Sequence, residues 1–201
     1  MKPHQNPLVR SVALAVLLGN FGAQAASLTL PVAADAFIHA GSADNNAGGW
    51  SWFGAGRDGV GGVRRGLVRF DVSGIPAGAT VTSVVLRLTL DQVPFQGPVN
   101  SNFDLHRLLA TWGEGNKASA GGSGGLPATT GEATWNSRQH GMATWTSPGV
   151  LGDVAATASA STLVGSVRGA THSWSGSGLI SDVEEWIANP SEVYFKLIIT
   201  N

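Results

Sequence analysis

The sequence has 201 residues, 28 of them glycine and none cysteine, with 12 basic against 13 acidic side chains for a formal net charge of -1. Without cysteine there is no disulfide framework, no zinc ribbon or finger, no iron–sulfur cluster and no cysteine nucleophile, and the near-neutral balance lacks the electrostatic footprint of a nucleic-acid binder. Charged residues reach only 12% while hydrophobic residues reach 43%, with seven tryptophans, a balance that suits turn-rich β structure around a real core.

The first 25 residues read as a secretory signal peptide. Lys2 and Arg10 make a positive start, Ser11 to Ala23 is mostly apolar, and Ala23-Gln24-Ala25 places small residues at a cleavage site after Ala25. The apolar run is too short to span a bilayer, so no membrane span is expected once the signal is cut. Its removal takes away Lys2 and Arg10 and leaves 176 residues with 10 basic and 13 acidic side chains, a formal charge of -3. One domain, residues 26–201, is expected from that length, in a bacterial envelope or extracellular setting.

Strands are predicted at Asp35 to Ala40 and Trp50 to Gly54. The acidic and amide residues Asp35, Asp44 and Asn45 carry hard oxygen ligands of the kind calcium takes, though without EF-hand spacing, and form a candidate structural calcium site. Gly54-Ala55-Gly56-Arg57-Asp58-Gly59 matches the dinucleotide fingerprint in letters. The next residues, Val60 to Arg65, lead into a strand and offer no helix N-terminus for a pyrophosphate, so the glycines read as a wide hairpin connection.

Arg64 to Val72 alternates Leu67, Arg69 and Asp71 against Val68, Phe70 and Val72. Val81 to Asp91 alternates Val84, Leu86, Leu88 and Leu90 against Val85, Arg87 and Thr89. Period two marks both as half-buried strands, joined by the turn residues Ser73 to Ala79. Further strands are predicted at Phe103 to Trp112, Ala133 to Asn136, Leu163 to Val167 and Val193 to Thr200, with a Gly/Ser-rich loop at Lys117 to Gly131 and a similar stretch at Asp153 to Ser161. Leu179, Val183, Trp186 and Ile187 recur with helical spacing before Asn189-Pro190, predicting a short amphipathic helix over one open end of the fold. At least eight strands and one helix point to an all-β, jelly-roll-like antiparallel sandwich.

Ala-Thr-Trp occurs at 110–112, 133–135 and 143–145, and these indoles suit the core better than a sugar platform. Trp50 and Trp52 share a strand face between glycine-rich loops, the better place for a carbohydrate surface. Arg57, Arg64, Arg65, Arg69, Arg87 and Arg107 make up half the basic residues, and arginine grips carboxylate or sulfate bidentately, so several on adjacent strands suit an acidic polysaccharide. Arg69 and Arg87 have a plainer reading as ion-pair partners of Asp71, Asp91 or Asp104. Catalysis finds little footing. Glu114 and Glu132 are isolated loop-flanking carboxylates, and His39, His106, His140 and His172 show no metal or triad spacing.

The runs Asp35-Ala36-Phe37-Ile38, Arg65-Gly66-Leu67-Val68-Arg69-Phe70-Asp71-Val72-Ser73-Gly74-Ile75-Pro76-Ala77-Gly78-Ala79 and Ser83-Val84-Val85-Leu86-Arg87-Leu88 resemble the DNRLRE domain, itself similar to carbohydrate-binding module family 96. Thr111-Trp112-Gly113-Glu114-Gly115, Ala133-Thr134-Trp135-Asn136 and Val183-Glu184-Glu185-Trp186 continue the resemblance in order, from about Asp35 onward. Val85 stands where that family commonly has a small residue, and Ile199-Thr200-Asn201 closes the sequence without the family's arginine-rich segment and final strand, which leaves either a truncated chain or a sandwich short of an edge strand. The resemblance implies a secreted jelly-roll sandwich that binds polysaccharide, with acidic glycans such as alginate as ligands for some members. The function expected is a non-catalytic carbohydrate-binding module using Trp50, Trp52, Arg57, Arg64, Arg65 and Arg87, with no required cofactor and an open oligomeric state. The alternative is a structural or adhesive surface domain with no small-molecule site.

Overall fold

The computed structural model describes residues 13–20, 23–59, 61–93, 100–119, 124–189 and 194–200. Lys2, Arg10, Pro190 and Val193, and part of the loop predicted at 117–131, lie outside them. In chain order the strands are β1 (Ala13–Asn20), β2 (Ala23–His39), β3 (Asn45–Asn46), β4 (Gly56–Arg57), β5 (Val63–Asp71), β6 (Thr80–Thr89) and β7 (Ser101–Arg107). They continue with β8 (Leu126–Pro127), β9 (Ser137–Gln139), β10 (Ala143–Thr144), β11 (Ala160–Val164), β12 (Thr171–Ser175) and β13 (Tyr194–Thr200), with the helix α1 (Ser177–Ala188) before the last.

The principal strands are hydrogen-bonded in the order β11-β7-β13-β5-β2-β1-β6-β12, with β4 added to β5. All of these pairings are antiparallel. The sheet folds over along β2, whose first half pairs with β1 and whose second half pairs with β5 after a register shift between Val32 and Ala34. A bulge of this kind bends and twists a strand, which lets one 17-residue strand serve both halves of the sandwich. At the far edges Thr162 Oγ1 donates to Ser173 O at 2.6 Å, joining β11 to β12. The fold is the all-β sandwich with one helix that the alternation predicts.

Alternation along β5 and β13 fills two separate cores. Val68, Phe70, Leu197 and Ile199 face a core between the halves, with Leu14, Val84, Leu86 and Leu105. Leu67 and Ile198, on the opposite face, join Ile38, Leu108, Trp112, Trp145 and Val150 beneath a layer of irregular chain. Both faces of this half are therefore buried, which is why its strands carry apolar residues on either side. Helix α1 ends one mouth of the inner core by seating Leu179, Val183 and Trp186 there. The predicted helix and the strands over 64–72, 81–91 and 193–200 all find counterparts, whereas Trp50 to Gly54 forms bends and Ala133 to Asn136 is irregular.

Asn46 pins the irregular layer. It is fully buried. Its Nδ2 donates to Glu114 O at 2.8 Å and Ala133 O at 3.0 Å, and its Oδ1 accepts from Gly48 N at 3.1 Å and Lys117 N at 3.2 Å. One amide thus satisfies four backbone groups from three loops. Asn46→Ala leaves all four without that partner and is expected to lower stability by about 2–4 kcal/mol, read as a lower urea midpoint at an unchanged slope.

Candidate functional site

A cleft of about 410 Å³ opens at the mouth of the sandwich opposite α1. It draws on the segment 52–59, on Arg64 at the start of β5, on residues 88–93 at the end of β6, and on Phe103, Val164, His172 and Trp174. The helix lies beside the other ends of those strands, where Arg107 at the end of β7 meets Asp182 at 3.4 Å and Ser159, just before β11, hydrogen-bonds Asp182. Trp52, Phe53, Phe103 and Trp174 give the cleft an aromatic lining, and Arg57, Asp58, Arg64, Asp91 and His172 add polar groups. Apolar walls with a few convergent polar groups are the usual make-up of a ligand site.

The glycine-rich run builds one wall as a hairpin. Gly56 pairs with Arg64 and Arg57 with Val63, and the turn closes through Asp58 N to Gly62 O at 2.9 Å and Gly61 N to Asp58 O at 3.0 Å. Gly61 has φ of +86°, a conformation glycine adopts without steric penalty. Asp58 locks the hairpin to the sheet. It accepts from Gly62 N at 2.7 Å, and its Oδ2 lies 3.0 Å from His39 Nε2 and 3.3 Å from Arg64 Nη2. Arg57 donates to Gly61 O at 3.2 Å and stays exposed.

Trp52 stacks on Phe37 with centroids 5.5 Å apart and planes 13° from parallel, and Trp50 leans on Trp52 at 4.8 Å and 45°. Both indoles are half-buried. On the facing wall Trp174 Nε1 donates to Phe103 O at 2.8 Å, fixing that ring's orientation. His172 lines the cleft, and among the described residues its buried Nε2 has no hydrogen-bond partner.

Of the residues singled out from sequence, Trp52, Arg57 and Arg64 line this cleft and Trp50 braces it. Arg65 and Arg87 do not reach it. Arg65 points to the other face of β5, where its guanidinium lies 4.9 Å from the Trp135 ring and hydrogen-bonds Gly149 O; burial there pushes its pKa down. Arg87 is exposed on β6, opposite Ala13 and Ser173. Phe103, His172 and Trp174 carry no mark in the sequence that singles them out as site residues. The last two sit on β12, whose His-x-Trp alternation within Thr171 to Ser175 is the available signal.

The candidate calcium ligands are engaged separately. Asp35 N donates to Glu114 Oε1 at 2.9 Å, Asp44 Oδ1 accepts from Asn136 Nδ2 at 2.9 Å, and Asn45 Nδ2 donates to Gly124 O at 3.1 Å. Among the described residues no group of three or more His, Asp or Glu side chains gathers in a form that would hold a metal ion. Glu114 and Glu132 serve as loop latches. Glu132 accepts from Thr129 N at 2.7 Å and Asn116 N at 3.3 Å and meets Lys117 Nζ at 3.2 Å. Burial pulls its carboxyl up, but the Thr129 amide and Lys117 outweigh that and hold it below the usual range.

The model of one protein family, carbohydrate-binding module family 96, matches residues 26–162. That is more than half of the chain, and the chain belongs to this family. No curated protein matches it. Among the described residues no helix is long and apolar enough to cross a membrane.

Asp35 provides a titration that reports on the loop layer. Burial, and secondarily the neighbouring Glu114, raises its carboxyl from 3.8 to about 6. Between those values the folded chain holds a proton that the unfolded chain has released, so this group's contribution to stability is greatest in acid and is lost as pH rises through about 6. Urea unfolding at pH 5 and pH 7 is expected to show Asp35→Asn lacking roughly 1 kcal/mol of the acid-side stabilisation that the parent gains from this group. Identical pH dependence in the two proteins contradicts the assignment.

Proposed function

We propose that this member of carbohydrate-binding module family 96 is a secreted, non-catalytic module that binds an acidic polysaccharide such as alginate in the cleft beside Trp52. The observation that carries the reading is the pairing, in one cleft, of an aromatic lining with the arginines Arg57 and Arg64. Sugar rings present C–H faces that pack on indole, while uronate carboxylates suit guanidinium forks. With a formal charge of -3 on residues 26–201, affinity for a polyanion depends on these local cations, not on net charge.

Secretion is supported by the N-terminal pattern and by the family match, which begins at Ala26, directly after the predicted cleavage site. Non-catalytic binding is supported by the engagement of Glu114 with the Asp35 amide of β2 and of Glu132 with loop amides. A structural or adhesive domain is the second reading, favoured by the burial of Trp112, Trp145, Trp174 and Trp186.

Affinity electrophoresis in gels containing alginate, pectin or a neutral glucan separates the two. Retardation in alginate that falls as sodium chloride rises is the expected result. Arg57→Ala is expected to weaken it roughly tenfold, as a charged hydrogen-bonding partner is lost. Trp52→Ala is expected to weaken it by at least a similar factor. No retardation in any gel overturns the binding reading in favour of the structural one.

A further inference from the structure

The segment whose sequence reads as an export signal is seated in the middle of the sheet. Strand β1 pairs with β2 on one side, from Ala13 opposite Pro31 to Asn20 opposite Ala23, and with β6 on the other, from Ala13 opposite Arg87 to Gly19 opposite Thr80. Leu14 and Val16 are fully buried in the inner core with Leu30, Val84 and Leu86. Leu17, on the other face, is 40% exposed. The family match begins only at Ala26, so β1 stands outside the matched region while filling a central position.

The geometry points to a strand-acceptor groove between β2 and β6, in which residues 13–20 act as an exchangeable donor strand. Because β1 is antiparallel to both neighbours, β2 and β6 run parallel to each other. Without β1 they stand two inter-strand spacings apart, roughly 9–10 Å. Closing that gap requires a new parallel register and a repacking of the volume that Leu14 and Val16 fill. The stretch Ser27 to Leu30 has its ladder partners on β1, and β5 takes up β2 only from Val32. Removal of β1 therefore leaves two facing rows of backbone donors and acceptors above an apolar floor, and a strand matches both the rows and the floor.

The occupant this groove fits is an extended, uncharged segment of about eight residues, antiparallel to both walls, with apolar side chains at alternate positions directed inward. Residues 13–20, ALAVLLGN, carry no charge, and Leu14 and Val16 fill the inward positions. Processing after Ala25 removes this occupant and cuts within β2, which starts at Ala23. This inference stands apart from the glycan reading, since Leu14 and Val16 take no part in the cleft lining.

The test uses the full chain, made without signal peptidase, carrying a site-specific protease sequence inserted between Asn20 and Ala23. After folding the chain is cut and passed over a sizing column. The N-terminal fragment is expected to co-elute with the remainder, and a fluorescent peptide of the sequence of residues 11–20 is expected to replace it slowly. The same peptide with Val16→Asp is expected to compete at least roughly a hundredfold less well, because it places a charge in the apolar core. Release of the fragment on cutting, from a remainder whose melting temperature is unchanged, overturns the proposal. Equal competition by the two peptides overturns it as well, and neither readout involves a glycan.

Discussion

The doubled use of strand β2 is the constraint on which the other parts rest. Its first half holds β1, its second half holds β5, and the bulge between them sets the angle at which the two halves of the sandwich face each other. The same strand then anchors the surface chain. Asp35 N reaches the Glu114 carboxylate, Phe37 carries the Trp52 stack, and His39 meets Asp58. Two segments distant in sequence, 52–58 and the loop at Glu114, take their positions from alternate residues of one element, so the cleft inherits the stiffness of the sheet.

The arginines divide between two roles that composition does not separate. Arg65 lies over Trp135, Arg69 over Trp112 and Arg107 over Trp186. A guanidinium set over an indole covers apolar surface with its stem while keeping its charge. These cations thus help close the outer core and the helix end. Arg64 is likewise set over Phe37, yet it also lines the cleft, where its charge is paired with Asp58. A chain with so few charged residues places four of its nine arginines against its own aromatic rings.

Strong period-two alternation made β5 and β6 legible, and the spacing of Leu179, Val183 and Trp186 made α1 legible, because each element buries one defined face. Strand β1 was not legible as a strand. An uninterrupted apolar run has no polar face, and the same letters satisfy an export signal and a central strand buried on its inner side. The expected strand at Trp50 to Gly54 fails for a related reason: Trp52 stacks on Phe37 and Trp50 leans on Trp52 instead of alternating against a paired neighbour. Half of the candidate site was visible because Trp52, Arg57 and Arg64 fall close together in the chain. Phe103 on β7 and His172 and Trp174 on β12 reach it through strand pairing; the His-x-Trp alternation marks a strand but not its place at the cleft.

The loops around Asn46 look the most permissive part of the chain, being rich in Gly, Ser, Ala and Thr. Their packing imposes the reverse. A Cβ at Gly48 would collide with the Glu114 carbonyl, one at Gly113 with the Gly131 carbonyl, and one at Gly125 with the Asn46 carbonyl. Gly115, with φ of +76°, would drive a side chain into the Asn46 amide. These contacts are with backbone or with a fully bonded amide and have little room to yield. For anyone diversifying the surface to retarget the module, low complexity is therefore a poor guide to mutability. A library that randomises these glycines will mostly sample misfolded proteins, while the exposed tip of the β4–β5 hairpin near Gly61, where an added Cβ meets nothing, has space to vary and only its backbone conformation to respect.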